Sequence, residues 1–192
     1  MAAFSSRFRA LDHNRHGTAY GLTVYSAIRT GQEETVRALI EAVPKGERSP
    51  LARLEGLHFS RLHIFDELVY QGGRQKPDKM QHAYLVFTAS FNGELDVFLD
   101  DLCEHAGPAA DTWWEHCYAY PGTSDRSAFK RWIATNQIHS GLFSSAYPDE
   151  SVQAVRAALA LRERVLAFAI DAQGLDAAAL KSRFDETFAE AR

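Results

Sequence analysis

Two cysteines in 192 residues are too few for a disulfide framework, and Cys103 and Cys117 are too far apart for a zinc motif. Both are expected to be reduced thiols. The chain also lacks segregated charge. Its 21 Lys+Arg and 25 Asp+Glu residues give a formal net charge of -4. The densest basic group, Arg74, Lys76 and Lys79, falls in a Gly- and Pro-containing stretch that reads as a solvated loop. The clustered basic footprint of a nucleic-acid binder is therefore missing. No apolar run reaches membrane-spanning length, because Arg162, Glu163 and Arg164 interrupt the most apolar segment. The start, Met1 to Arg9, has no apolar signal core, so a cytoplasmic location without a membrane partner is expected. Gly72-Gly73 lacks the spacing and the following helix of a phosphate loop, and Ser140-Gly141 is not a nucleophile elbow.

What is present is an order of elements. A hydrophobic content of 46% over this length is enough for one well-cored domain with an extension. Tyr20 to Arg29 alternates as a strand. Thr30, with Glu33 as capping-box partner, opens a helix carrying Val36, Leu39, Ile40 and Val43. Leu57 to Asp66 and His82 to Phe91 read as strands, separated by a loop over Tyr70 to Lys79. Asn92 then caps a helix with Leu95, Phe98, Leu99 and Leu102 on one stripe. Trp113 to Ala119 reads as a fourth strand, stopped by Pro121-Gly122. The sequence thus predicts an α+β fold, a ferredoxin-like β-α-β-β-α-β antiparallel sheet. Residues 1–18 are expected to be a flexible N-terminal arm and 19–122 the ferredoxin-like domain. Residues 123–192 form a helical extension packed on that domain or on a partner subunit.

That extension contains a helix from about Ser127 with Phe129, Trp132 and Ile133. An ambiguous apolar segment follows from Ile138 to Tyr147. A long helix capped by Asp149 or Ser151 ends at Gly174, and a last helix runs from about Asp176.

In such a sheet both helices cover one face, which suits Ala83, Leu85, Phe87, Ala89 and Phe91 of the third strand. The other face would carry Thr23, Tyr25, His82, Tyr84, Thr88 and Ser90, too aromatic for water and too polar for a dry core. Pairing with a second sheet would make it a semi-polar pocket. In this order of elements the chain resembles the dimeric α+β barrel superfamily. The segments Leu57-His58-Phe59-Ser60-Arg61, Trp114 to Gly122 and Ser145 to Pro148 also resemble a bacterial group with the same order. The superfamily includes cofactor-free monooxygenases, chlorite dismutases and dye-decolorising peroxidases. The resemblance implies a homodimer and a small-molecule oxidoreductase, either haem-dependent or a cofactor-free monooxygenase. A non-catalytic ligand-binding or assembly module is the alternative, because element order alone does not imply function.

Candidate chemistry follows from residue type. On the second strand, His58 shares a face with Ser60, and Arg61 shares the other with His63. His58 offers an acid-base group near neutrality, and Arg61 a fixed fork of donors for oxygen or a carboxylate. The rival role for Arg61 is a salt bridge to Asp66, Glu67 or a helix carboxylate. Tyr84 would orient an electron-rich small organic substrate, with Trp114 and Asn92 in the cofactor-free form. On a fourth strand Trp114, His116 and Tyr118 would share one face, making His116 the candidate axial metal ligand of a haem and the rings its walls. Cys117, on the other face, could supply a thiolate instead. The rival reading packs these aromatics as core. His139 flanks a small polar segment able to bend over a ligand, and completes the expected cofactor-binding set.

Overall fold

The computed structural model describes residues 13–68, 72–74 and 80–189. Residues 1–12 and most of the loop expected over Tyr70 to Lys79 lie outside the described residues. The fold is α+β. Four strands, β1 (Arg15–His16), β2 (Ala19–Ala27), β3 (Leu57–Phe65) and β4 (Tyr84–Asn92), form one antiparallel sheet in the order β1-β2-β4-β3. Five helices are described: α1 (Glu33–Glu41), α2 (Leu95–Trp114), α3 (Arg126–Asn136), α4 (Val152–Asp171) and α5 (Ala177–Phe188). None of them is long and apolar enough to cross a membrane. Two compact units divide the chain, Met1–Asp149 and Glu150–Arg192.

The core lies on one face of the sheet in the first unit. Tyr20, Leu22, Val24 and Ile28 of the β2 region point there, as do Ala83, Leu85, Phe87, Ala89 and Phe91 around β4. Phe98, Leu99, Leu102, Ala106, Ala110, Trp113 and Trp114 of α2 meet them at helical spacing. Phe91 stacks on Phe98 with ring centroids 3.8 Å apart. Each fully buried large side chain here contributes about 1.5–3 kcal/mol. From α3, Phe129, Trp132 and Ile133 join the same core.

The fourth strand expected over Trp113 to Ala119 does not form. Helix α2 runs on through Trp114 and absorbs Pro108. Its apolar positions keep the 3–4 spacing as far as Trp113 and Trp114, and burying both indoles on the helix outweighs their strand propensity. What remains of the strand is one bridge, Cys117 to Ile28. The exposed edge of β2 is instead patched by three short pieces. β1 pairs with Ala19 and Tyr20, Gln137 bridges Val24, and Cys117 bridges Ile28. Each piece satisfies edge backbone groups: Ile138 N donates to Thr23 O at 2.9 Å, and Tyr118 N to Ala27 O at 2.9 Å. The edge is closed without offering one long flat strand. Residues 13–18, expected within the flexible arm, take part in this closure. Asn14 is fully buried and its carbonyl accepts from Gly21 N at 2.8 Å.

Two expected caps are replaced. Helix α1 begins after Gln32 without a side-chain cap bond, so Thr30 and Glu33 form no capping box. Asn92 ends β4 and bonds sideways to His58 of β3 and to Thr18 in the turn between β1 and β2, while Glu94 holds the N-cap position of α2. Of the two residues expected to cap α4, Ser151 does so, while Asp125 caps α3 and Asp176 caps α5.

In the second unit, α4 and α5 meet through Phe168, Phe184 and Phe188, with centroid separations of 4.9–5.7 Å. Arg164 lies over the Phe188 ring and donates to Thr187 O. Arg183 pairs with Asp171 at 3.0 Å.

Candidate functional site

The sheet face away from the core is where the expected polar residues gather. Strand pairing sets them in cross-strand rows. Gly21, Ser90 and Phe59 form one row, and Thr23, Thr88 and Arg61 the next. Tyr25, Val86 and His63 follow, then Ala27, Tyr84 and Phe65. A register shift between Leu57 and Phe59 makes His58 an extra residue. This bulge lets Leu57 and the Ser60, Leu62, Ile64 series all serve the core side, while Arg61 and His63 face outward. His58 is thereby removed from Arg61 and Tyr84. It is exposed, and its Nε2 bonds to Asn92 Oδ1. Asn92 Nδ2 in turn donates to Thr18 Oγ1 at 3.1 Å, which fixes the amide orientation.

Arg61 is exposed, and among the described residues it has no hydrogen-bond or ion-pair partner. The salt bridge to Asp66 weighed for it does not form, because Asp66 pairs with Arg37 at 2.7 Å. His63 stands one row away. Its Nδ1 is buried without a hydrogen-bond partner among the described residues. Burial first, and then the Arg61 charge, push its pKa below the ordinary histidine value of 6.5. Tyr84 lies two rows from Arg61, about 13 Å along the strands. Its ring approaches Tyr25 at 6.3 Å. At the opposite end, the Phe143 ring lies over Gly21, so close that a Cβ there would sit 2.5 Å from Phe143 Cδ2. Among the described residues the face therefore offers the Arg61 cation, a run of hydroxyls and an imidazole between aromatic ends.

The residues expected to hold a cofactor do not line one cavity. Trp114 is fully buried in the core, against Phe87 at 5.4 Å and Trp132 at 5.8 Å. Tyr118 is 44% exposed and meets His82 edge-on at 5.2 Å. His139 is itself exposed and bonds to the buried Asn14, around which a polar cluster forms. Ser140 N donates to Asn14 Oδ1 at 2.7 Å, so Asn14 Nδ2 is the donor to His139 Nδ1, 3.0 Å away. Tyr20 completes that cluster by accepting from Gln137 Nε2 at 2.9 Å.

His116 borders a groove of about 540 Å³ lined by Arg29, Thr30, Gln32, Glu115 and His116. Its Nδ1 bonds to Gln32 Oε1 at 3.1 Å, and its Nε2 lies 3.5 Å from Glu115 Oε1. Arg29 holds the turn by donating to the carbonyls of Glu115 and His116. Among the described residues no group of three or more His, Cys, Asp or Glu side chains is placed to hold a metal ion. Cys117 is no thiolate: burial pushes its pKa up to about 12, against the opposing charge of Arg29. Both cysteines are free, and burial also raises Cys103.

One polar cluster has no counterpart in the sequence reading. Asp111, in the last turn of α2, accepts from Tyr120 Oη at 2.6 Å, Thr123 N at 2.9 Å and Thr123 Oγ1 at 3.0 Å. Burial, then this hydrogen bond, raise the Tyr120 pKa far above its ordinary value. The cluster ties the turn after α2 back onto the helix. Its only sequence signal is an acid inside an apolar stripe, ahead of a Tyr and a Thr.

Compared with protein families, curated proteins and solved structures, the chain matches none.

Proposed function

We propose that this chain binds a small organic anion with an aromatic body on the outer face of its sheet. The observation that carries this reading is Arg61. Its guanidinium stands in a row with the hydroxyl residues Thr88 and Thr23, beside an imidazole whose buried nitrogen is unpartnered, and no carboxylate pairs with it among the described residues. A planar guanidinium is a fixed fork of donors that suits a carboxylate, and charge-assisted bonds of this kind are roughly twice as strong as neutral ones. Tyr25, Tyr84 and Phe59 give the same face aromatic surface for the ligand's body.

Benzoate and benzyl alcohol, a charged and a neutral probe of similar size, separate this reading from simple hydrophobic adsorption. Titrated into labelled protein, benzoate is expected to move the amide signals of Arg61, His63 and Thr88, and benzyl alcohol to leave them in place. Arg61→Gln abolishes the benzoate response. Equal responses to the two probes, or a response confined to Arg29 and His116, would refute the assignment.

The catalytic form of this reading is cofactor-free oxygenation of an electron-rich aromatic anion. Oxygen consumption with a dihydroxybenzoate, lost in Arg61→Gln, supports it. Binding without consumption leaves a ligand-binding module. A haem-dependent form rests on His116 alone, since Trp114, Tyr118 and His139 lie elsewhere. A Soret band on adding haemin that disappears in His116→Ala would favour it over the sheet-face reading.

A further inference from the structure

Helix α4 carries an apolar stripe that neither α4 nor α5 buries. Val155, Leu159, Leu166 and Ile170 are 39%, 54%, 46% and 68% exposed. At about 100° per residue the four fall within about 60° of one another around the helix, over a length of about 22 Å. Phe168 lies on a different side and meets α5. No residue of α4 or α5 is buried, and two helices of 20 and 12 residues cannot hold themselves together in water on that basis.

The stripe is symmetric about the Arg162–Glu163 peptide. Val155 precedes that peptide by as many residues as Ile170 follows it, and Leu159 precedes it by as many as Leu166 follows. We propose that α4 pairs antiparallel with α4 of a second copy of this chain, about a two-fold axis through that peptide. Val155 then faces the partner's Ile170, and Leu159 the partner's Leu166. A two-fold requires a self-complementary patch, and this sequence supplies one.

The charges select the same occupant. Both copies bring Arg162 and Glu163 to the centre, two guanidinium groups and two carboxylates, which sum to zero. Within one chain the two are only loosely joined, 3.7 Å apart and 68% and 72% exposed, so both are available to a partner. With the two α5 helices behind them, the pair of hairpins makes a four-helix arrangement. This proposal concerns the second unit and stands apart from the ligand on the sheet.

Sedimentation velocity of the full chain tests it. The parent is expected to be a dimer. Arg162→Glu places four carboxylates at the centre and Glu163→Arg four guanidinium groups, and each alone is expected to weaken association more than about tenfold. Mixed in equal amounts, the two variants regain two charges of each sign and are expected to dimerise. An uncharged variant, Leu159→Gln with Leu166→Gln, is also expected to dissociate, and far-UV circular dichroism of every variant shows whether the helices remain. A monomeric parent, charge variants that dimerise as the parent does, or a mixture of well-folded variants that stays monomeric would each overturn the proposal. A dimer insensitive to all of these changes would assign association to another surface.

Discussion

Arg61 of β3 stands directly across the ladder from Thr88 of β4, while Asp66, the first carboxylate after it in the chain, is taken by Arg37 at 2.7 Å. A cation on a sheet face that satisfies no acceptor contributes little to folding. Arg61→Ala is therefore expected to change the unfolding free energy by less than about 0.5 kcal/mol, as surface substitutions usually do. Chemical denaturation measures this. A loss of several times that size would mean that Arg61 holds the fold, and would remove its claim to be a ligand group.

His63 gives the same face a pH signature. Its folded pKa lies below the ordinary 6.5, through burial first and Arg61 second. The sign follows from proton linkage: below about pH 6.5 the unfolded chain binds a proton that the folded chain resists, so stability falls as pH drops through that value towards the folded pKa. Above it the histidine is neutral in both states and contributes no slope. His63→Asn is expected to flatten the stability profile below pH 6.5, and Arg61→Gln to raise the His63 midpoint read by proton NMR. A His63 midpoint that does not rise in Arg61→Gln would mean that the Arg61 charge does not reach the imidazole.

The strands β2 and β4 were legible because their alternation is clean, and β3 was legible despite polar residues on both of its faces. In β4, Leu85, Phe87 and Ala89 point one way and Tyr84, Thr88 and Ser90 the other, and the outer face carries Thr23, Tyr25, Tyr84, Thr88 and Ser90 as expected, while His82 lies before the strand against Tyr118. The fourth strand was not legible, because Trp113-Trp114 fits a strand by propensity and a helix by its spacing from Leu102, Ala106 and Ala110. Only the burial of both indoles decides between them. The residues expected to face a cofactor from that strand are not brought together. A helix ending at Trp114 sends the indole into the core and leaves His116 beside Arg29. The bulge at His58 was equally invisible, since a one-residue insertion changes which residues share a face without changing composition.

Asp111 is the acceptor for three donors, one of them the hydroxyl of buried Thr123 and one the half-buried Tyr120 phenol. Removing it leaves those donors without a partner, which costs more than the bonds themselves contribute. Asp111→Ala is expected to destabilise by about 2–4 kcal/mol in urea unfolding. Tyr120→Phe, which removes one donor and leaves the acceptor with two, is expected to cost about 1 kcal/mol. If the two variants lost the same amount, the Thr123 bonds would be energetically idle.

The two thiols are expected to differ in reactivity. Cys117 is 3% exposed with its pKa pushed up to about 12, whereas Cys103 is only partly buried. A thiol reagent reacts with the thiolate, so at pH 8 native Cys117 stays unmodified while Cys103 reacts slowly, and both react in denaturant. Mass spectrometry of the labelled peptides checks this. Rapid native labelling of Cys117 would show that the turn around it opens, and that the edge patch on β2 is transient.

Gly21 and Phe143 test whether the irregular segment after α3 really closes one end of the outer face. Gly21 lies within β2, where alanine would normally be the better residue by roughly 0.5–1 kcal/mol, because glycine loses more chain entropy on folding. Here the added Cβ would meet the Phe143 ring at 2.5 Å. That is overpacking, with an expected cost of about 1–3 kcal/mol. The two effects have opposite signs, so the background decides the outcome. Gly21→Ala is expected to destabilise the parent, and to be neutral or stabilising in a Phe143→Ala background. A double-mutant cycle by chemical denaturation reads that reversal directly. Additive effects would mean that the ring does not rest on Gly21 in solution, and that the face is open at both ends.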